Sequence, residues 1–237
     1  MRLRFHSRLL GLLSASLLLS ALPAFAGPSP NGAIHQRALQ AFHALHARSP
    51  HAEAEWQARQ PGIHMLLGLD EPLLGDTTAQ RGERFLRANE ALLGVSAGQL
   101  RSLAPTVSNQ RTVLRYQQIA RVGGQELRVL DAEVTLTFDN ANGHLLRVLS
   151  EAVPVQQLAA GVVTREQAAA KASQSAAGAT FARALPAAAE QAVIVGHRGA
   201  RLVWVVHVPG ASLQDLRTLA VDAVTGDVTR LPNRVLD

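Results

Sequence analysis

The 237-residue chain contains no cysteine, which excludes a disulfide framework, thiolate metal sites, a cysteine nucleophile and attachment as a bacterial lipoprotein. Lysine is almost missing as well: Lys171 stands alone beside 22 arginines. Charged residues make up only 17%, and the formal net charge of +5 comes from 23 basic and 18 acidic residues. Three of the basic ones, Arg2, Arg4 and Arg8, lie in a segment read below as removed, which leaves 20 against 18. That balance is too even for a nucleic-acid footprint, and no nucleic-acid partner is expected. The sequence also has no H-E-x-x-H, G-x-S-x-G, P-loop or G-x-G-x-x-G signature, so none of these common catalytic and nucleotide-binding devices is visible. What is present is apolar: 47% hydrophobic residues, enough to build a core and to exclude wholesale disorder.

The first residues read as an export signal. Three arginines and no acid precede an apolar run from Leu9 to Leu22, and Pro23-Ala24-Phe25-Ala26 follows. A basic start, a short apolar centre and an A-x-A end make a secretory signal peptide over residues 1–26, with cleavage expected before Gly27. The run falls short of the roughly 20 residues that span a bilayer. No second run of comparable length follows, so a secreted or periplasmic protein without membrane association after cleavage is expected.

Residues 27–61 form an N-terminal helical segment. Pro28, Pro30, Asn31 and Gly32 punctuate its entry, and Ile34, Ala38, Ala41, Phe42 and Leu45 recur at helical spacing over 33–47. A strand is expected over Ile63–Leu69. A second helix, capped by Asp76 or Thr77, runs to Leu93 with Gly94 at its C-terminal cap position. Then the period changes to two. Val113 to Ala120 leads into Gly123-Gly124, which tolerate the positive φ of a tight hairpin. Leu130, Ala132, Val134, Leu136 and Phe138 alternate with polar residues, but Leu127 and Val129 have the opposite parity, so a β-bulge is expected near Val129. Asp139 to Gly143 is a turn, and Leu145 to Val153 is the third strand of a meander.

Residues 153–161 read as a linker. Thr164-Arg165-Glu166-Gln167 is a capping box, and the alanine-rich helix behind it is expected to stop at Gly178. Strands follow at 192–195, 202–208, 216–223 and 228–231. Helix then meander occurs twice, so the expected class is α+β, with two small domains, each a helix packed on an antiparallel β-meander in a cystatin-like arrangement. Two separate folding units are expected.

The nine histidines are the first metal candidates. His43 and His46 sit three apart, His35 has a compatible angle and His51 follows. A zinc site needs three or four convergent ligands with supporting partners, and no acid on that helix supplies support. They read as the polar flank of a surface helix. Asp139 to Gly143 places Ala141 where a calcium loop needs an oxygen ligand. Asp222 and Glu133 are the candidate catalytic acids, but acids beside turns and on wet strand faces are ordinary. No catalytic residue, metal or cofactor is expected, and the protein reads as a non-enzyme.

Residues 62–152 resemble the fungalysin/thermolysin propeptide (FTP) domain. The features are Phe85-Leu86 with Leu92-Leu93-Gly94, then Arg115-Tyr116-Gln117-Gln118, Gly123-Gly124, Leu130 to Val134, and Asn142-Gly143. Residues 162–231 resemble a PepSY domain through Thr164, Gln167-Ala168, Arg201 to Val206, and Val221-Asp222-Ala223-x-Thr225-Gly226. In this order the two form the propeptide region of secreted thermolysin-like zinc metalloproteases. In that family a catalytic domain normally follows, whereas here the sequence stops soon after Leu231. The resemblance implies a propeptide-like protein that folds, inhibits or escorts such a protease in trans. The same role in cis, as a zymogen piece, and a binding module unrelated to proteolysis are the alternatives. Gln118, Gly123, Gly124, Trp204, Asp222 and Gly226 are expected to be structural. In thermolysin-like zymogens the segment leaving the PepSY domain leads toward the protease cleft. The segment Leu231, Pro232, Asn233, Arg234, Val235, Leu236 and Asp237, of which 232–237 is a tail, is therefore the partner-binding candidate.

Overall fold

The structure is a computed structural model that describes residues 30–57, 60–156, 158–176, 189–196, 199–209 and 216–232. The export signal and the Gly178 helix stop expected from the sequence lie outside them. Helix α1 (Pro30–His46) buries Ala38 and Leu45 and leaves His43 and His46 exposed. Strand β1 (Glu53–Glu55) pairs antiparallel with β2 (Met65–Glu71). The expected second helix is two pieces, α2 (Thr78–Ala88) and α3 (Glu90–Leu93), broken at Asn89. The Asn89 side chain donates to the Phe85 carbonyl at 2.8 Å and competes with helical continuation. Thr77 caps α2 by accepting from the Gln80 N–H at 3.2 Å, and Gly94 ends α3 with a φ of 74°.

A 3-10 turn (Ala97–Gln99) leads into β3 (Leu100–Ser102) and β4 (Thr106–Val107), short strands on the outer edge of β5 (Arg111–Val122). Strands β5 and β6 (Gln125–Asp139) form a long hairpin turned by Gly123 and Gly124, whose φ values are 57° and 83°. Strand β7 (Leu145–Ser150) pairs with both β6 and β2. Helix α4 (Arg165–Ser175) follows, then β8 (Glu190–Gly196), β9 (Gly199–Pro209), β10 (Leu216–Asp222) and β11 (Val228–Arg230). The path is β1-β2-β7-β6-β8-β9-β10-β11, with β5 also on β6. The class is α+β: a curled, antiparallel-rich sheet with few helices. Among the described residues no helix is long and apolar enough to cross a membrane.

Two large apolar clusters and a small third one, of Ala192, Val203, Val205 and Ala220, lie against this sheet. In the first, Leu45, Phe85, Leu92 and Leu93 from the helices meet Leu66, Leu114, Leu136, Phe138 and Leu145 from the strands. In the second, Ala168, Ala169 and Ala172 of α4 meet Leu202, Trp204, Val206, Leu219 and Val221. Alanine on the inner face of α4 lets the helix approach the sheet closely, and the branched strand residues fill the space. The hairpin β5–β6 serves both. Its open half supplies Leu114, Tyr116, Val134 and Leu136 to the first cluster, and its tip supplies Ala120, Leu127 and Val129 to the second.

The sheet forks at β6. Its C-terminal half pairs with β7 from Val134 to Phe138, and Val129 bridges in parallel to Val193 of β8. Between them lies the bulge. Gln117 faces Glu133 and Ile119 faces Arg128, so Gln118 alone opposes Val129, Leu130, Asp131 and Ala132. Asp131 takes a φ of 59° there, the left-handed conformation that aspartate tolerates better than most residues. The parity change near Val129 therefore marks the place where one hairpin passes from one core to the other.

Candidate functional site

Gln118 is fully buried at the bulge. Its Nε2 donates to the Val153 carbonyl at 2.6 Å, and its Oε1 accepts from the Val153 N–H at 2.9 Å. Its neighbour Gln117 closes the other side: Nε2 lies 2.7 Å from the Val129 carbonyl, 3.0 Å from that of Ala132 and 3.2 Å from that of Gln118. Gln117 thus satisfies carbonyls that the bulge withdraws from the ladder, while Gln118 pairs with the backbone of a residue beyond the end of β7. Gln60 acts similarly on the far side of β7, donating to the Ser150 and Ala152 carbonyls at 2.9 and 2.7 Å. Sequence reasoning missed Gln60, and it placed Gln117 in the resemblance without a structural role. The adjacent Gln117-Gln118 pair inside an otherwise alternating strand was the available signal. Val153, Val155 and Leu158, in the stretch read as a linker, pack against the second cluster.

The second motif set is also spent on structure. Thr164 and Gln167 make the expected capping box, with Thr164 Oγ1 3.3 Å from the Gln167 N–H and Gln167 Oε1 2.9 Å from the Thr164 N–H. The helix N-terminus and the Thr164 hydroxyl hold the exposed Glu166 carboxyl below the usual carboxylate range. Trp204 Nε1 donates to the Val163 carbonyl at 2.8 Å, and Arg165 stands over its ring at 5.8 Å. Asp222 is buried, and one of its oxygens accepts from the Val224 and Thr225 N–H groups at 2.9 and 3.0 Å. The other faces Arg201 Nη1 at 3.5 Å. Gly226 follows with a φ of 78°. Asp222 is therefore the acceptor of a turn, and Glu133 lies half-buried on a strand far along the chain from it.

Among the described residues no three His, Asp or Glu side chains come together as a metal-binding group. His35 meets the Pro61 carbonyl at 3.2 Å and the edge of Trp56, and His46 meets the Ala52 carbonyl at 3.1 Å. Asp139 to Gly143 is a hairpin turn: the Ala141 N–H donates to Asp139 Oδ1 at 2.9 Å. Tyr116, buried beneath α2, has its hydroxyl pushed up to about 12 by burial, with Glu83 adding to the shift.

Of the partner-binding candidates, Leu231 is half-buried against Ala192, Val203, Val205 and Ala220 on the sheet face opposite α4. Its N–H donates to the Thr218 carbonyl at 2.9 Å. Pro232 is exposed. Asn233, Arg234, Val235, Leu236 and Asp237 lie outside the described residues.

A groove of about 600 Å³ that includes Gly123 opens at the joint between the two clusters. The tip of β5, the 3-10 turn and Val155, Gln156, Leu158 and Ala160 form its walls. Nothing in the sequence marks it, because it depends on where β3 stops pairing with β5.

No family model matches the chain, and no curated protein does. Among solved structures, the chain is similar to the C-terminal domain of YpeB from Bacillus megaterium. The two share 10% identity over 84% of this chain and 97% of that one, with a TM-score of 0.37.

Proposed function

We propose that this is a secreted, non-catalytic, propeptide-like protein that binds a thermolysin-like zinc metalloprotease in trans, assisting its folding, blocking its cleft or both. The observation that carries the reading is where the resemblance residues fall. Gly123 and Gly124 turn the shared hairpin, Gln118 sits at its bulge, Trp204 seats the start of α4, and Asp222 and Gly226 form the last turn. Each of these residues holds a turn, a bulge or a helix start, and this supports reading the chain as an FTP-like unit followed by a PepSY-like one. The tail leaves from Leu231 and supplies the contact to the protease cleft. In this reading Leu236 fills an apolar pocket of the partner, and the side-chain carboxylate of Asp237 approaches the partner's zinc as a hard oxygen ligand.

The test uses the mature protein from Gly27 and a version ending at Leu231, each titrated against a thermolysin-like protease and added to its refolding from denaturant. Inhibition or a raised refolding yield by the mature protein is expected. The shortened version should inhibit at least about tenfold more weakly, a loss of about 1.4 kcal/mol. Equal inhibition by both places the contact on the domain faces. No effect of either on activity or refolding overturns the proposal in favour of a binding module unrelated to proteolysis.

A further inference from the structure

Strand β5 is longer than its outer neighbour, and the overhang has a definite polarity. Because Gly123 and Gly124 form a two-residue turn, Val122 and Gln125 are the hydrogen-bonded pair beside it. Even-numbered residues of β5 therefore bond to β6, and odd-numbered ones face outward. The Arg115 carbonyl, which accepts from the Leu103 N–H at 2.8 Å, has that outward parity. Strand β3 occupies the outer edge only as far as Leu100, opposite Gln118, and there the 3-10 turn carries the chain away. The bridge of Leu100 to Gln118 still engages the Ile119 N–H with Gln99, but beyond it the Ile119 carbonyl and the N–H and C=O of Arg121 are directed into the 600 Å³ groove with no strand paired to them on that side. Exposed backbone of this kind is a template for another strand.

The side chains around the edge define what such a strand carries. Val155 and Leu158 make the opposite wall apolar. Arg121 is the one charge among the lining residues. It shares Glu126 with Arg101: Arg121 Nη2 lies 3.2 Å from one carboxylate oxygen, and Arg101 Nη2 contacts the other. Two cations on one anion leave one positive charge beside the groove. We infer that this groove binds an extended segment of another polypeptide as an added strand on β5, continuing the lane of β3, with an acidic side chain set against Arg121 and apolar ones against Val155 and Leu158. The inference goes beyond the protease reading, since it specifies a main-chain and charge chemistry that any such segment could satisfy.

The probe is a fluorescein-labelled hexapeptide alternating valine with aspartate, titrated against the mature chain by fluorescence anisotropy in a protease-free assay. Saturable binding is expected. N-methylation of the amides on the bonding edge of the peptide should weaken it at least about tenfold, because it removes main-chain donors without altering charge. Replacing aspartate by lysine should weaken it as much, and so should Arg121→Glu, with Arg121→Gln intermediate. Unchanged circular dichroism and melting of both variants separates a lost contact from a lost fold, and the modified peptides test the idea on the unaltered protein. Undiminished affinity of the N-methylated peptide, equal binding of the lysine peptide, or no binding of the aspartate peptide up to millimolar concentration would each overturn the inference.

Discussion

The side chain of Gln118 and the backbone of Val153 form a reciprocal pair, donor to acceptor in both directions, at 2.6 and 2.9 Å. A buried glutamine here does what a neighbouring strand would do. It supplies one N–H and one C=O to a residue that has left the sheet, and so pins the 153–161 stretch against the hairpin. Replacing it leaves two backbone groups of Val153 without that partner. Gln118→Ala should lower the free energy of unfolding by about 2–4 kcal/mol, from lost hydrogen bonds and a cavity together. Urea denaturation followed by tryptophan fluorescence measures it, and a loss below about 0.5 kcal/mol would show that water replaces the amide without cost.

The start of α4 is held twice, by the Thr164 capping box and by the indole of Trp204 on the Val163 carbonyl. Thr164→Ala should cost about 1 kcal/mol. Trp204→Phe should cost a similar amount or more through the lost hydrogen bond and packing. Because both act on the same turn, the double variant should lose less than the sum, with a coupling of about 0.5 kcal/mol or more. Strict additivity would mean that Trp204 seats the sheet and not the helix.

Tyr116 is the sole tyrosine, so its titration can be followed without overlap from another phenol. Its folded pKa is raised to about 12 from the ordinary value of 10.0, chiefly by burial. Above pH 10 the unfolded chain ionises while the folded one does not, so stability is full below about pH 10 and falls as pH rises toward 12. The contribution at stake is about 2–3 kcal/mol. Tyrosinate absorbance should appear only near the upper end of that range or on unfolding. Tyr116→Phe should flatten the alkaline fall in stability, and an unchanged slope in that variant would assign the loss to other groups.

Gly226 has a φ of 78°, and a Cβ there would come within 2.8 Å of the Lys171 side chain. The lysine can swing aside, so the conformation and not the contact sets the cost. Gly226→Val should destabilise by about 1–2 kcal/mol. Two folding units were expected from the sequence, but the hairpin contributes buried residues to both clusters. Gly226→Val should therefore shift one calorimetric transition as a whole. Two resolved transitions, with only the upper or the lower one moved, would show that the hairpin can fray from one core and keep the other.

Much of the fold could be read from local pattern. The capping box at Thr164, the glycine hairpin at Gly123-Gly124 and the parity change at Val129 each follow from the chemistry of a few adjacent residues, and each appears in the structure at its expected place. The helix read through Leu93 is broken because Asn89 offers its own side chain to the Phe85 carbonyl, a competition that apolar periodicity does not register. Strand alternation tells which face of Leu127 and Val134 is buried but not against what, so the shared use of one hairpin could not be inferred. The groove was beyond reach for a related reason. It is made by the strand β3 ending early, and it joins Gly98 and Gln99, Ile119 to Gly123, and Val155 and Leu158, three segments with no periodic relation to one another.

The shared hairpin also bears on how the chain reaches its final form during synthesis. The chain emerges from its N-terminus, from the ribosome or across a membrane alike, so Ala120, Leu127 and Val129 are exposed before Val193, Leu202 and Leu219 arrive to cover them. The N-terminal cluster can close early around the open half of β5–β6 while the tip still presents apolar surface and an unfilled sheet edge. Closure of the second cluster then waits on contacts distant in sequence, the slow kind. Over that interval the half-made protein is at its most adhesive, at the same strand end where the finished molecule keeps its groove.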